Sequence, residues 1–509
     1  MASIGWRIQG AHFPGAGFSR VLSILGVAVY LGIWAGGSAR ADQAFEDQYV
    51  EPAIVAIEVT QQRPDWYSPW QRVRPSQSSG SGFLIGPGRV MTNAHVVSDA
   101  RQIIVRRNQD NQPYFAEIEF IAHDSDLATL RVKDPAFGEN VKPLELGALP
   151  SLRSHVRTYG FPAGGEKISR TEGVVSRIQF ITYLHSGADS HLGIQTDSAI
   201  NPGNSGGPVV QEGRVVGVAF QANSQLNDVG YFIPTPVIKR FLKDITDRRY
   251  DGYGDLGIST SNLINPVFRE FKKLPPNMIG VAVDQIFHKG SADGFVMGGD
   301  ILMAIEGNPV MADGTIRFRG YNLNFEQQVE EKLLGEMVNL TVWREGKSKD
   351  LSFPLKRFPI SERMRSKFDT FPRYFIYAGL VFMELDREYL KTFGNYWENA
   401  DKHLLYKHFF QFLESDGDPV THVVLARVLP HGVNRPYSGM VNYKVESLNG
   451  IPITNLKDIE AGLNVDNGEF HQFELGPGGL KLILQKAESA KVHDSILQAY
   501  GITRDRRLN

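Results

Sequence analysis

The chain has 509 residues, more than one hydrophobic core can serve, so three domains is the natural expectation. An apolar content of 42%, a charged content of 22% and a net charge of −2 fit an ordinary globular protein and argue against a nucleic-acid-binding chain. Cysteine is absent, which excludes disulfides and thiolate metal sites.

The N-terminus reads as an export signal. Arg7 and Arg20 precede a fourteen-residue apolar run, Val21 to Trp34. Ala39-Arg40-Ala41 then offers small residues at the two positions a signal peptidase reads. The run is short for a bilayer span, which needs roughly 20 residues. Residues 1–41 are therefore expected to be a cleaved signal, with an uncleaved membrane anchor as the alternative. Either places the body outside the cytoplasm, and cleavage leaves no stable membrane span. Residues 1–41 carry three arginines and no acid, so the mature chain would have a net charge of about −5.

Residues 48–245 look all-β. Short apolar runs (Ala53–Val59, Gly82–Ile85, Ile103–Val105, Leu127–Val132, Gly173–Ile178, Val215–Phe220) alternate with turn signals. A helix closes the region. Thr235 is a good N-cap, Pro236 suits the first helical position, and Val237, Ile238, Phe241, Leu242 and Ile245 form one apolar stripe. Asp247 to Gly254 reads as a linker.

Two later segments form a weak internal repeat. Ile301 to Val310 and Tyr443 to Ile453 both read as strand, turn and strand, each followed by a helical segment. In the first copy Asn324 is predicted to cap a helix running to Glu336, with Phe325, Val329 and Leu333 on one face. The second copy carries an aromatic-rich helical insert between Leu385 and Asp416, read either as a local core or as an oligomer contact. His403 and His408 lie five apart, wrong for one helix face, so no metal site is expected.

Catalytic chemistry concentrates in three places. Gly203-Asn204-Ser205-Gly206-Gly207-Pro208 flanks one serine with glycines, which lets the backbone turn sharply and aim N–H groups beside a hydroxyl. A serine hydroxyl needs a base, and Thr92-Asn93-Ala94-His95 offers one in a strand-to-helix setting. The imidazole in turn needs an orienting carboxylate. Asp126, abutting the apolar strand Leu127–Val132, is preferred for that place over Asp124.

The order His95, Asp126, Ser205 and the motifs around each resemble those of chymotrypsin-like proteases. With Asp126-Leu127-Ala128 and the two trailing repeats, the chain resembles an HtrA/Deg serine protease, closest in pattern to the plant-type Deg proteases. The resemblance implies a mainly β, multidomain chain: a chymotrypsin-like double β-barrel protease followed by two PDZ domains of α+β class. The expected boundaries are 1–41 signal, 42–247 protease, 254–357 first PDZ, 372–487 second PDZ with an insert near 386–416, and 488–509 a C-terminal tail. It implies Ser205 as nucleophile, His95 as base then acid, Asp126 as orienter, and the N–H groups of Gly203 and Ser205 as oxyanion hole. Digestive proteases carry Asp before the nucleophile. Here Asn204 stands in that place, which implies activation by loop ordering in place of a cleaved-terminus ion pair.

The P1 pocket would be lined by Ile200, Phe220, Gln221 and Ala222 with Asn201 and Pro202 nearby. None is charged, so cleavage after Val, Ala or Ile is expected and not after Arg or Lys. Gly254, Asp255, Leu256 and Gly257 resemble a PDZ carboxylate-binding loop, and Tyr377-Ala378-Gly379-Leu380 resembles one less well. Trp66, Tyr67 and Trp70 suggest a trimer contact or a loop folded on its own barrel. The implied activity is ATP-independent endoproteolysis of unfolded or damaged exported proteins, in the periplasm, by a homotrimer or a multiple of one. No cofactor, metal or nucleic-acid partner is expected, and no phosphate loop is present. A peptide-binding chaperone or stress sensor with minor proteolysis is the alternative, and an esterase or acyltransferase on the same triad is a third reading.

Overall fold

The structure, a computed structural model, describes residues 47–108, 112–162, 167–222, 230–275, 279–414, 420–466 and 468–509. The expected signal and its apolar run lie outside the described residues. Residues 1–51 and 52–509 are separate units; of the first only 47–51 are described, with one helical turn over 47–50. No described helix is long and apolar enough to cross a membrane.

Two closed six-stranded barrels form residues 54–234 among the described residues. The first comprises β1 (Ile54–Gln61), β2 (Ser76–Gly86), β3 (Arg89–Thr92), β4 (Ala100–Arg107), β5 (Tyr114–Ala122) and β6 (Leu127–Val132), joined in the order β1-β2-β3-β6-β5-β4. The second comprises β7 (His155–Gly160), β8 (Ser169–Thr182), β9 (Ser190–Thr196), β10 (Pro208–Gln211), β11 (Arg214–Ala222) and β12 (Gly230–Pro234), in the order β10-β11-β12-β9-β8-β7. Closure leaves no free sheet edge. Leu127 and Leu130 of β6 are fully buried; such burial contributes about 1.5–3 kcal/mol per side chain. The closing helix spans Thr235–Asp244, so Thr235 is its first residue and makes no side-chain cap.

The next sheet contains β13 (Ile258–Ser261), β14 (Val281–Ile286), β15 (Ile301–Ile305), β16 (Asn308–Pro309), β19 (Met337–Arg344) and β20 (Lys347–Pro354), with a separate hairpin of β17 (Thr315–Phe318) and β18 (Tyr321–Asn324). The helix predicted from Asn324 to Glu336 is corrected here. Asn324 ends β18, and only one turn, Gln327–Glu330, is helical. The cause is tertiary. Gly335 adopts φ +85° and donates to the Leu355 carbonyl (2.8 Å), while Leu355 donates to Glu336 (2.9 Å), drawing the chain into the β19–β20 ladder.

The last sheet runs β27-β26-β24-β23-β22-β21-β28, with β25 against β24. Its strands are β21 (Tyr374–Tyr377), β22 (Leu380–Glu384), β23 (Val423–Val428), β24 (Tyr443–Leu448), β25 (Ile451–Pro452), β26 (Phe470–Gly476), β27 (Leu480–Gln485) and β28 (Arg506–Arg507). The internal repeat is visible: β15–β16 and β24–β25 are matching hairpins, flanked by β19 and β26 respectively. Residues 488–509 are not a tail. They continue the helix Lys486–Ala499 and end in β28, which extends the sheet beyond β21. Within the insert, Tyr389, Phe393, Tyr396 and Phe409 join a local core, while Trp397 and Phe410 stay exposed. Trp66 and Trp70 pack against that same core, and Arg427 donates to Ser68 Oγ (2.9 Å). Tyr67 is 61% exposed.

Candidate active site

The site lies where the two barrels meet. Strand β3 ends at buried Thr92, whose hydroxyl donates to the Ser81 carbonyl (2.7 Å). Asn93 follows and donates through Nδ2 to the Asp126 carbonyl (2.9 Å). The short helix Ala94–Val97 then sets His95 facing Asp126. Asp126 takes a left-handed φ of +51° just before β6, a conformation that Asp tolerates better than most residues. Its carboxylate grips His95 twice: Oδ1 accepts the backbone N–H (2.8 Å) and Oδ2 lies 2.7 Å from Nδ1.

Electrostatics follow from that geometry. Burial alone would raise the Asp126 carboxyl, but the His95 imidazole and its hydrogen bond hold it below the usual carboxylate range. Burial pushes His95 down, while Asp126 more than offsets this and lifts it above its ordinary value. Asp124, the competing carboxylate, does not bond His95. It accepts from Tyr250 and the Ser125 N–H, and faces Arg365 at 3.9 Å.

Ser205 comes from the loop between β9 and β10. Gly206 has φ +85°, and a Cβ there would stand 2.2 Å from the Ser81 carbonyl oxygen, so only glycine fits. Ser81 stitches this loop to the first barrel. Its N–H donates to the Ser205 carbonyl (2.8 Å), its hydroxyl donates to the Gly203 carbonyl (2.7 Å), and that hydroxyl accepts from the Phe161 N–H (2.8 Å). Sequence reading missed Ser81, although Gly80-Ser81-Gly82 is a glycine-flanked serine inside a strand.

The Ser205 hydroxyl donates to the Phe220 carbonyl at 3.4 Å, and no hydrogen bond links it to His95 among the described residues. The N–H groups of Gly203 and Ser205 have no acceptor among the described residues. Asn204 is buried, and neither of its amide atoms has a partner there. Of the pocket residues, Ile200 and Phe220 are buried. Only the backbone of Gln221 and Ala222 is described, paired with Tyr231 and Gly230.

Around this centre stand features that the sequence did not signal. His123 Nδ1 lies 2.9 Å from His185 Nε2, and the His185 ring centroid is 6.2 Å from that of His95. Burial, with His123 and His95 nearby, holds His185 down to about 4, so it is neutral. His191 on β9 lies 2.5 Å from Glu330 of the following sheet unit, and the carboxylate lifts its pKa against the lowering effect of burial. Gly254, Asp255, Leu256 and Gly257 precede β13; the first three of them, with His191 and Glu330, line a cavity of about 340 Å³. The Gly257 N–H donates to Asp255 Oδ1 (2.7 Å). The second loop, Tyr377 to Leu380, is instead a hairpin turn. Strand β22 after it already has β21 and β23 on its two sides, and the Ala378 N–H donates to His493 Nδ1 (3.2 Å).

Comparison with known proteins agrees with this architecture. Residues 80–218, which include His95, Asp126 and Ser205, match the trypsin-like peptidase domain family, and residues 364–508 match a PDZ domain family. The chain is 35% identical over 460 residues to "Protease Do-like 2, chloroplastic" of Arabidopsis thaliana, covering 89% of this chain and 74% of that protein. It is 34% identical over 434 residues to "Protease Do-like 4, mitochondrial" of the same plant, covering 84% and 80% respectively. Among solved structures, a serine variant of the HtrA-type protease AlgW with a decapeptide superposes with a TM-score of 0.50 at 23% identity, over 62% of this chain and 97% of that one, a likeness of fold. Barrels, PDZ region and extended similarity to Do-like proteases together make this chain a member of the HtrA/Deg family of serine endopeptidases.

Proposed function

We propose that the protein cleaves unfolded or damaged polypeptides without nucleotide, using Ser205 as nucleophile, His95 as general base and then acid, and Asp126 to orient His95. The observation that carries this reading is the double grip of Asp126 on His95, with Ser205 presented by a glycine loop stitched to the same barrel. The carboxylate fixes the proton on Nδ1, leaving Nε2 as the acceptor for the Ser205 proton. Ser205 must turn from Phe220 to Nε2. A 3.4 Å hydrogen bond is long, and giving it up costs about 1 kcal/mol or less. Attack on the peptide carbonyl would then place the oxyanion against the Gly203 and Ser205 N–H groups, and His95 would hand its proton to the leaving amine.

The pocket around Ile200 and Phe220 supports cleavage after small aliphatic residues. We read 254–357 as a PDZ domain whose loop and cavity take peptide. The second PDZ, with both sides of β22 filled by its own strands, we read as a scaffold. Assembly as a trimer or a multiple of one, and residence in an exported or organellar compartment, complete the proposal. The named plant relatives are chloroplastic and mitochondrial proteins. The test is digestion of a permanently unfolded protein without nucleotide. The wild type is expected to give fragments and Ser205→Ala none. Equal fragmentation by both, or by neither, would overturn the reading.

A further inference from the structure

Three rings from distant parts of the chain cluster together, and one of them, His185, stands beside His95. His123 lies in the turn before β6, three residues ahead of Asp126. His185 sits in the tip of the β8–β9 hairpin. Phe368 belongs to the connector between the helix Pro359–Met364 and β21. Phe368 stacks on His185 with centroids 3.9 Å apart and planes 17° apart, and lies 5.2 Å from His123 at 26°.

The connector is held to this spot by polar bonds. His123 Nε2 lies 3.1 Å from Asp369 Oδ2. Asp369 and Asp99 each accept the other's backbone N–H, at 2.6 and 3.0 Å. The Ser366 N–H donates to the Ser186 carbonyl at 2.8 Å. His123 thus has a polar partner at each ring nitrogen, Asp369 at Nε2 and His185 at Nδ1, which fixes the orientation of both rings.

Phe368 has no part in the hydrophobic clusters of the sheet units on either side of it. Its ring contacts among the described residues are the two histidines, and it remains only half-buried. Tyr183, two residues before His185, packs on Phe220 at 4.7 Å, and Phe220 carries the carbonyl that accepts the Ser205 hydroxyl. The hairpin tip that carries His185 therefore reaches from Phe220, beside Ser205, to His95, and Phe368 stacks on that tip. A polypeptide reaching Ser205 along β11 would run past it.

We infer that Phe368, positioned by the PDZ connector and backed by His185 and His123, is a specificity-determining wall of the protease cleft, selecting a flat or bulky apolar side chain one residue before the one cleaved after. The inference rests on the catalytic reading above. A ring presented edge-on to a stacked wall gains contact that an alanine side chain does not, and aromatic pairs of this kind correspond to roughly tenfold in rate.

The test compares kcat/KM for peptides that differ only at that position, Phe, Leu or Ala, on the full chain. Wild type is expected to prefer Phe over Ala by roughly tenfold. Phe368→Ala should bring the ratio to about one, Phe368→Leu should leave an intermediate ratio, and Phe368→Tyr should keep it. A general structural defect would lower all three peptides together and leave the ratio unmoved. An unchanged ratio in Phe368→Ala and Phe368→Leu overturns the inference. So does an equal gain on every peptide, which would mark the connector as an obstruction. Should Phe368→Ala fail to fold, Phe368→Leu decides alone. Cleavage persisting in Ser205→Ala would instead overturn the catalytic reading, a distinct outcome.

Discussion

The two barrels contribute unequal halves to one site. In the first, Asp126 and His95 are already bonded at 2.7 and 2.8 Å, and Asn93 and Thr92 brace the turns that carry them. In the second, the Ser205 hydroxyl points to Phe220, two N–H groups await an acceptor, and Asn204 is buried without a partner among the described residues. The difference is one of construction. The base and its carboxylate sit at the ends of adjacent, paired strands, β3 and β6, whose ladder fixes them. The nucleophile rides a loop whose shape depends on glycines and on Ser81 reaching across. One half is preorganised by sheet geometry, the other by contacts between barrels.

Substitutions can break this contrast in order of size. Asp126→Asn keeps the shape but reverses the tautomer at His95, and turnover of a peptide substrate should fall by about 10⁴. Gly206→Ala attacks the other half. Its new methyl would meet the Ser81 carbonyl at 2.2 Å in a left-handed conformation, and a denaturation curve should show a loss of about 3 kcal/mol.

Two histidines that face carboxylates give the molecule two separate pH dependences. His95 must be neutral to accept a proton, and its pKa is raised. Activity should therefore rise with pH through a value above the ordinary 6.5, and be lost on the acid side. His191 titrates in the opposite sense for stability. Its raised pKa means that the Glu330 contact contributes fully below the unfolded value of about 6.5 and is lost as pH rises through the folded one. Glu330→Gln should then cost about 1–2 kcal/mol at pH 6 and less at pH 9, read as thermal midpoints. The exposed pair Lys133–Glu117 is the floor of the series, and Glu117→Gln should change stability by less than about 0.5 kcal/mol.

Much of this was legible in the sequence because it is local. The apolar run Leu127–Val132 has the same bounds as β6, and Asp126 adjoins that strand directly while Asp124 does not. The glycines around Ser205 signalled a sharp turn, and Gly206 has the positive φ such a turn needs. The parts not legible are those where distant segments decide. Asn324 looks like a helix cap, and its side chain does accept the Glu326 N–H, yet pairing around Leu355 stops the helix after one turn. Residues 488–509 look like a tail in sequence because nothing in their composition announces that Arg506 and Arg507 pair with Phe375 and Tyr374. Ser81 and the rings of His123, His185 and Phe368 belong to the same class, since each acts across more than sixty residues of chain.

The central claim is that Ser205 becomes reactive only through His95. Labelling with a fluorophosphonate probe, mapped by mass spectrometry, addresses it most directly. One adduct is expected on Ser205 in the wild type, none in Ser205→Ala, and labelling slowed by orders of magnitude in His95→Ala. An adduct on another serine, or equal labelling of Ser205 with and without His95, would contradict it.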